Sequence, residues 1–173
     1  METLNITGTE LDLKQLFIHQ LNRVNCTIGY LARNLPKLQG IVSFNTMKLA
    51  IREDMEDVQK QQRRIDGIYG LLQTKPSDEG CEVIKSVIEE AYNLNINSGK
   101  STIINDMDVI LYMQLIENIE LTSFRMLKMI AGYMGNPQII QMLTECFDEN
   151  VDNDRLFSLI SEEYLEKKTE SQK

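Results

Sequence analysis

The sequence has no tryptophan, a single histidine (His19) and no Cys-x-x-Cys pair. A zinc site of the usual Cys/His kind is therefore excluded, because it needs several such ligands. Basic residues are also in deficit, with 18 Lys and Arg against 26 Asp and Glu, which gives a formal net charge of −8. Such a chain lacks the basic face that binds nucleic acid and the polybasic segment that binds anionic membranes. We expect neither nucleic acid nor a membrane among its partners.

The cysteines are few, odd in number and far apart: Cys26, Cys81 and Cys146. This usage is typical of reduced thiols in a cytoplasmic protein. Cys26 and Cys146 fall on apolar helical stripes, where they predict small core residues. The N-terminal segment METLNITGTELDLKQ has no basic region followed by an apolar run, so we expect no secretory signal. A cytoplasmic chain with three free thiols is the resulting prediction.

Apolar residues recur at three- and four-residue steps along most of the chain, and no β pattern competes with them. The segments predicted to be helical are about Glu10–Leu35, Ser43–Gln73, Cys81–Leu94, Ser101–Met134 and Gln138–Lys167. Pro36 and Gly40 predict the first break, and residues 95–100 (NINSGK) predict a flexible linker. The segment GNP at 135–137 predicts a helix end, an N-cap and the first residue of the next helix. Residues 1–9 and 168–173 are predicted to be tails.

This order of helices predicts an all-α fold. Four long helices with one short helix between the second and third are expected to form a four-helix bundle with a short extra crossover helix over residues 10–167. The arrangement is ferritin-like, and in that fold a metal site is built from acids on facing helices.

The stretch Ile110–Ile130 is apolar on nearly every side but carries Glu117 and Glu120. A helix that is apolar all round is expected to be buried among other helices. The two acids are three residues apart and therefore share one face. A buried carboxylate needs a proton, a base or a metal ion, so these two residues predict a site inside the bundle.

The order of several short segments along the chain is informative. They are LKQLFIHQL at 13–21, NLPKL at 34–38, DVQKQQRRI at 57–65, LLQTKP before GCE, IENIE at 116–120 and TECFDEN at 144–150. In order, spacing and turn positions they resemble the YciE/YciF-type ferritin-like stress proteins over about Leu13–Tyr164. On this resemblance the chain is identified as a divergent member of that family.

The resemblance implies a dimer of helical bundles, a link to stress responses and a carboxylate-bridged di-metal centre. The chain departs from the family pattern at positions that such a centre needs. Ile28 stands where the family's first helix carries an acid, and Asp54 and Asp57 stand where its second helix has His and Glu. Residues 117–120 read Glu-Asn-Ile-Glu where the family reads Glu-His-Tyr-Glu. The implied ligand set is therefore depleted and lacks histidine.

Five acids remain as candidate metal ligands: Asp57, Glu117, Glu120, Glu149 and Asp152. Oxygen-only ligands suit manganese, magnesium or calcium better than a di-iron oxidase centre, which normally keeps nitrogen ligands. The alternative interpretation, which the missing histidines and Ile28 favour, is that these acids pair with Arg63, Arg64 and Arg125, or lie at solvated helix edges.

Three functions stay open. The first is a non-catalytic, stress-related dimeric scaffold with a degenerate or absent di-metal site, no catalytic residue and no cofactor, which Ile28 and the missing histidines favour. The others are an iron- or manganese-binding oxidase or peroxide scavenger, and a metal-storage protein, each with a carboxylate-only site. We expect a homodimer with the Cys81–Leu94 helix as a contact, because an all-round apolar helix needs more cover than three partners give. Another protein partner is left open.

Overall fold

The computed structural model describes residues 6–77, 80–96 and 101–170, with side chains over 12–77, 80–93 and 101–170. All regular secondary structure in these ranges is helical. The helices are α1 (Ile6–Ile41), α2 (Asn45–Leu72), α3 (Glu82–Ile96), α4 (Thr102–Met134) and α5 (Pro137–Glu170). The all-α prediction is confirmed. Parts of the predicted tails belong to α1 and α5, and the predicted linker 95–100 falls mostly on residues 97–100, outside the described ranges.

The predicted break at Pro36 and Gly40 is wrong, since α1 continues through both residues. Proline in a helix interior removes one backbone hydrogen bond and costs about 3 kcal/mol. Leu35 and Leu38 on either side of it are fully buried. Burying two leucine side chains contributes about 3–6 kcal/mol, which offsets the loss. Packing against the bundle therefore extends α1 beyond its local sequence signals.

The junction of α4 and α5 follows the prediction from GNP. Gly135 adopts a left-handed φ of 67° and ends α4. The Asn136 side-chain oxygen accepts the backbone N–H groups of Gln138 and Ile139 at 3.1 and 3.2 Å. Pro137 is the first residue of α5, where its missing N–H has no helical partner to lose. The two-residue turn forces α4 and α5 to run antiparallel.

The four long helices form a square bundle in which α1 packs on α2 and α4, and α5 packs on α2 and α4. Hydrogen bonds fix the antiparallel registers, for example Gln62 to Asn25 at 3.0 Å between α2 and α1. Helix α3 packs on α1 and α4 and carries the chain back from the end of α2 to the start of α4. One crossover of this kind is the ferritin-like connection. No helix in the described ranges has the length and apolarity that crossing a membrane requires.

The crossover also brings two cysteines together. Cys26 of α1 and Cys81, the residue before α3, form a disulfide with Cα atoms 5.8 Å apart. The prediction of three reduced thiols is therefore wrong for this pair, because α3 returns along α1 and places residues 55 positions apart side by side. Cys146 is free and buried, as predicted. Burial raises the pKa of its thiol to about 12.

One buried acid near an end of the bundle ties three elements together. The Asp106 carboxylate of α4 is 1 % exposed. It accepts the backbone N–H of Ser43 at 2.8 Å and the Ser43 hydroxyl at 2.5 Å. It also accepts the hydroxyl of Tyr164 in α5 at 2.8 Å. Asp106 thus fixes the connection between α1 and α2 against α4 and α5.

Candidate functional site

A second group of buried polar side chains lies near the middle of the bundle, where α2, α4 and α5 face one another. Glu117 and Glu120 of α4 are 0 % and 2 % exposed, and Asp54 of α2 is 1 % exposed. The predicted burial of the two glutamates is confirmed. We refer to Asp54, Glu117 and Glu120 as the carboxylate cluster.

Asp54 reaches the interior because it lies in the apolar stripe of α2. Ile51, Val58 and Ile65 surround it in sequence at three-, four- and seven-residue steps, and all are fully buried. Gln61 occupies the next position in the same stripe and is also fully buried. Because a helix repeats every 3.6 residues, these side chains share one face. Helix α2 therefore presents one acid and one amide to the interior.

Helix α5 contributes amides instead of acids. The Asn150 side chain is fully buried and its Oδ1 accepts the Gln61 Nε2–H at 2.7 Å. Its Nδ2 donates to Glu117 Oε2 at 3.2 Å and to Glu120 Oε2 at 3.1 Å. The amide thereby connects α2 to both glutamates of α4.

Asn153, one helical turn further along α5, is hydrogen-bonded to the α2 side of the carboxylate cluster. It is 6 % exposed, and its Nδ2 donates to Asp54 Oδ1 at 3.4 Å. A second, longer contact of 3.5 Å joins the same Nδ2 to Asp57 Oδ2. Two asparagine side chains therefore supply all the hydrogen bonds that the cluster accepts from α5.

These donors do not satisfy the cluster. Among the described residues, no donor reaches Asp54 Oδ2, Glu117 Oε1 or Glu120 Oε1, and Gln61 Oε1 is also left without one. A buried acceptor without a partner costs about 1–3 kcal/mol, so four together require an explanation.

Raised pKa values favour protons on the three carboxyl groups. Burial, and then repulsion from Asp57, raises the pKa of Asp54 to about 7. Burial, and then repulsion from Asp54, raises the pKa of Glu120 to about 8, against a smaller lowering by Asn150. Burial, followed by repulsion from Asp54 and Glu120, raises the pKa of Glu117. A protonated carboxyl donates one hydrogen bond, so protons bound near neutral pH can supply the missing donors.

The five predicted ligands do not converge. Only Glu117 and Glu120 belong to the cluster, and Asp57 lies at its edge, half-buried and paired with Lys60 at 2.5 Å. Glu149, a predicted ligand, is half-buried and forms a two-point ion pair with Arg64 at 2.7 and 2.8 Å. That pair agrees with the alternative interpretation of arginine partners.

Asp152, the other predicted ligand on α5, lies outside the cluster, with its side chain exposed. The difference is one of register along α5. The buried residues of this helix include Leu143, Cys146, Asn150, Asn153 and Phe157, at three- and four-residue steps. Glu149 and Asp152 each precede an inward position by one residue, and a rotation of about 100° turns them away from the interior.

A pair of metal ions does not fit this arrangement. The cluster's three acids come from two helices, two from α4 and one from α2, and the amide hydrogens of Asn150 point at both glutamates. The register of α1 on α2 brings Ile28, which is fully buried, to this level of the bundle in place of an acid. No group of three or more His, Cys, Asp or Glu side chains that could hold a metal ion occurs in the described part of the chain.

Comparison with known proteins places the chain in a family. The family described as Domain of unknown function (DUF892) matches residues 12–170. The chain belongs to the DUF892 family. Protein YciF of Escherichia coli (strain K12) is 26 % identical over 160 residues, which cover 92 % of this chain and 96 % of that protein.

Two solved structures share the fold. The crystal structure of the E. coli stress protein YciF matches with a TM-score of 0.84 at 24 % identity, over 90 % of this chain and 98 % of that one. YcfI from Rhodopseudomonas palustris matches with a TM-score of 0.79 at 22 % identity, over 84 % and 92 % of the two chains. The expected membership of a YciE/YciF-type family is confirmed, and so is the ferritin-like bundle.

Asp54, Gln61, Asn150 and Asn153 were not among the candidate ligands of this DUF892 chain. The signal that could have found them is their position within apolar stripes, where a polar residue interrupts a regular three- and four-residue spacing. The predicted ligands were all acids, and the amides were missed, although their N–H groups determine which carboxylate oxygens have a hydrogen-bond donor.

Proposed function

We propose that the chain is a stress-related, non-catalytic helical protein that acts as a dimeric scaffold and has a protonated carboxylate cluster in place of a working di-metal site. The link to stress rests on the similarity to YciF, which is described as a stress protein. The observation that carries the proposal is the chemistry of the inner side chains. Helix α5 offers two asparagine amides and α1 offers Ile28, so two of the four helices provide no charged ligand.

The other candidate function is an iron- or manganese-binding oxidase, peroxide scavenger or storage protein. The uncovered oxygens of Asp54, Glu117 and Glu120 favour it, because unpaired carboxylate oxygens attract hard cations. The carboxylate oxygens come from only two helices, and the amide hydrogens of Asn150 and Asn153 point at them. Both observations favour protons over metal ions as the partners of these carboxylates.

Thermal unfolding with and without metal separates the two. Chelator-treated protein is melted alone, with manganese and with ferrous iron, and metal content is measured after dialysis. We expect no resolvable shift of the parent protein, because no native-state binding would stabilise it. A parent that melts many degrees higher with either metal, or that retains it stoichiometrically, contradicts the proposal.

Two variants make this test sharper. Ile28→Glu adds the acid that the family pattern has in α1 and should destabilise the metal-free fold by about 3 kcal/mol, because it buries a charge among acids. Manganese should recover part of that loss. Ile28→Gln is the matched control, since it is similar in size and polar but uncharged. Recovery in both variants, or in neither, contradicts the assignment of Ile28 to a missing ligand position.

The dimer is proposed to form through an apolar stripe on the outside of α4. Its large side chains are 42–55 % exposed, apart from Tyr133 at 78 %: Ile104, Leu111, Leu115, Met126, Met129 and Tyr133. These positions follow one another at steps of three, four, seven and eleven residues and therefore share one face. Helix α3, the contact expected from the sequence, presents mainly polar residues outward, with Val83 as its exposed large apolar side chain.

The charges beside the stripe support a second copy of this chain as the partner. The charges beside the stripe divide along α4. Half-buried Asp108 lies in the first half, and Arg125 and Lys128, which contact the Phe147 ring of α5, lie in the second half. An antiparallel α4 from a second copy would bring the acidic half of each helix over the basic half of the other. A two-fold axis near the middle of α4 gives this arrangement.

Light scattering tests the dimer, for which a mass near twice the 20.0 kDa of one chain is expected. Leu115→Glu should give monomers, because it places a charge in the middle of the stripe. Val151→Glu on α5 is the matched control, since Val151 is exposed to 43 % and Leu115 to 42 %, and it should leave the dimer intact. A monomeric parent, or equal effects of the two variants, contradicts the interface.

A further inference from the structure

The crossover helix covers only one side of the square bundle. Helix α3 packs on α1 and α4 and lies over the groove between them. It does so with Ile84, Ile88 and Ala91, which are buried and recur at three- and four-residue steps. The groove between α2 and α5 lies on the opposite side, and no helix in the described part of the chain covers it. A groove between two packed helices accepts the side-chain ridge of a third, so this groove has room for one more helix.

The uncovered groove has an apolar part. A cavity of about 180 Å³ lies there, with Leu49 and Ala50 of α2 and Leu156 and Ile160 of α5 in its wall. Leu49 is 49 % exposed, and Leu159, three residues after Leu156, is 55 % exposed. An amphipathic helix binds a groove by placing large apolar side chains against exposed apolar residues of this kind. The cavity and the two exposed leucines therefore favour the apolar face of a partner helix.

Acids predominate on the two helices that form the groove, and the structure describes both helices over their full length. Helix α5 has nine acids and three bases, and α2 has five of each. Along the groove, Lys60 and Arg64 are each paired with acids of these same helices. Glu53, which lines the cavity, and Asp152 form no salt bridge with any residue that the structure describes. The excess of acids favours a basic partner.

We propose that the groove between α2 and α5 binds a basic amphipathic helix of another protein, much as α3 occupies the groove between α1 and α4. The apolar face of the partner helix packs on Leu49 and Leu159, and its lysines and arginines face the excess acids of α5. From Leu49 to Arg64 the groove is about 22 Å long, which matches the 15 residues of α3. A second copy of this chain, with its net charge of −8, is a poorer occupant than a basic helix.

Two synthetic helical peptides of the length of α3 test the proposal. Both have leucine at the three- and four-residue steps of a single face, and they differ only in having lysine or glutamate at the remaining polar positions. Fluorescence anisotropy with the full chain should show that the lysine peptide binds and that its affinity falls as the salt concentration rises. The glutamate peptide should bind about tenfold more weakly or worse. Equal binding of the two peptides, or no binding of either, overturns the proposal.

Matched variants of the full chain locate the binding of the lysine peptide. Leu49→Asn should weaken it about tenfold, whereas Leu165→Asn should change it by less than about twofold. Leu165 is 47 % exposed, close to the value for Leu49, and lies nine residues after Leu156, on the opposite face of α5. Glu53→Lys should also weaken binding about tenfold, and Glu162→Lys, the same charge change at an exposed position on another face of α5, should have little effect. Equal losses in a variant and its control overturn the proposal.

Light scattering distinguishes this groove from the dimer contact proposed on α4. Leu49→Asn should keep the mass of the parent protein, because the groove is not the contact between copies. Leu115→Glu should change the mass and leave the affinity for the lysine peptide within about twofold. A parent dimer that dissociates in Leu49→Asn assigns the groove to a second copy of this chain and overturns the proposal.

Discussion

Two buried aspartates in this bundle have the same side chain and the same exposure of 1 %, but opposite surroundings. Asp106 accepts three hydrogen bonds, two from Ser43 and one from Tyr164. Asp54 has one long hydrogen bond from Asn153, and its other oxygen meets no donor among the residues that the structure describes. Burial alone therefore does not distinguish a structural acid from a member of a functional or vestigial site. The number of donors does, because donors stabilise the charged form and their lack favours the protonated form.

The largest effect that separates the two sites is expected from truncating each aspartate. Asp106→Ala leaves two hydroxyls and a backbone N–H without their acceptor and should lower the free energy of unfolding by about 3–5 kcal/mol. Asp54→Ala removes the same atoms but also removes repulsion from Glu117 and Glu120, so its cost at pH 8 should be about 1 kcal/mol or less. Chemical denaturation measures both. Equal losses of unfolding free energy in the two variants would contradict the difference between Asp106 and Asp54.

An intermediate effect is expected from pH. The pKa of Asp54 is raised to about 7 and that of Glu120 to about 8. At a pH between the ordinary carboxyl pKa values of the unfolded chain and these raised values, the native chain therefore binds more protons than the unfolded chain. Stability is then greatest below the unfolded pKa values and is lost as pH rises through 7 and 8. We expect several kcal/mol less stability at pH 8 than at pH 5.

The control for this dependence is a neutral version of the cluster. The triple variant Asp54→Asn, Glu117→Gln, Glu120→Gln cannot release these protons, so its stability should change little between pH 5 and pH 8. Unfolding curves at several pH values compare it with the parent. A triple variant with the slope of the parent would assign the pH dependence to other groups.

The smallest effect is expected from neutralising one cluster member. Glu120→Gln keeps the size of the side chain and mimics its protonated form, so stability at pH 6 should change by less than about 1 kcal/mol. At pH 8 the same variant should be more stable than the parent, because it does not need to hold a proton there. A loss of several kcal/mol at either pH would show that the carboxylate form is required, as a bound cation would require it.

The sequence predicted those parts of the fold that have strong local signals. The helix end, cap and start at Gly135, Asn136 and Pro137 agree with the structure because each residue type has a distinct backbone preference. Pro36 was misleading, since its local penalty is smaller than the burial gained by Leu35 and Leu38. Local propensity decides a helix boundary only where tertiary packing does not oppose it.

The site was predicted less completely. Glu117 and Glu120 were identified because acids in an apolar helix are conspicuous, whereas Glu149 and Asp152 were chosen one residue away from the inward positions of α5. Asn150 and Asn153 lie in the apolar stripe, so stripe position was the better guide than side-chain charge. The pairing of Cys26 with Cys81 could not be deduced, because three cysteines allow three pairings and the choice depends on how α3 lies across the bundle.

The two short turns of the bundle have a consequence for the order of folding. Residues 42–44 join α1 to α2, and residues 135–136 join α4 to α5, so each pair of helices is a hairpin with local connections. Asp54 belongs to the first hairpin and both glutamates belong to the second, so the three acids meet only when the hairpins dock. Because the raised pKa values of these acids favour their protonated forms once the hairpins have docked, we expect the folding rate to fall at pH 8.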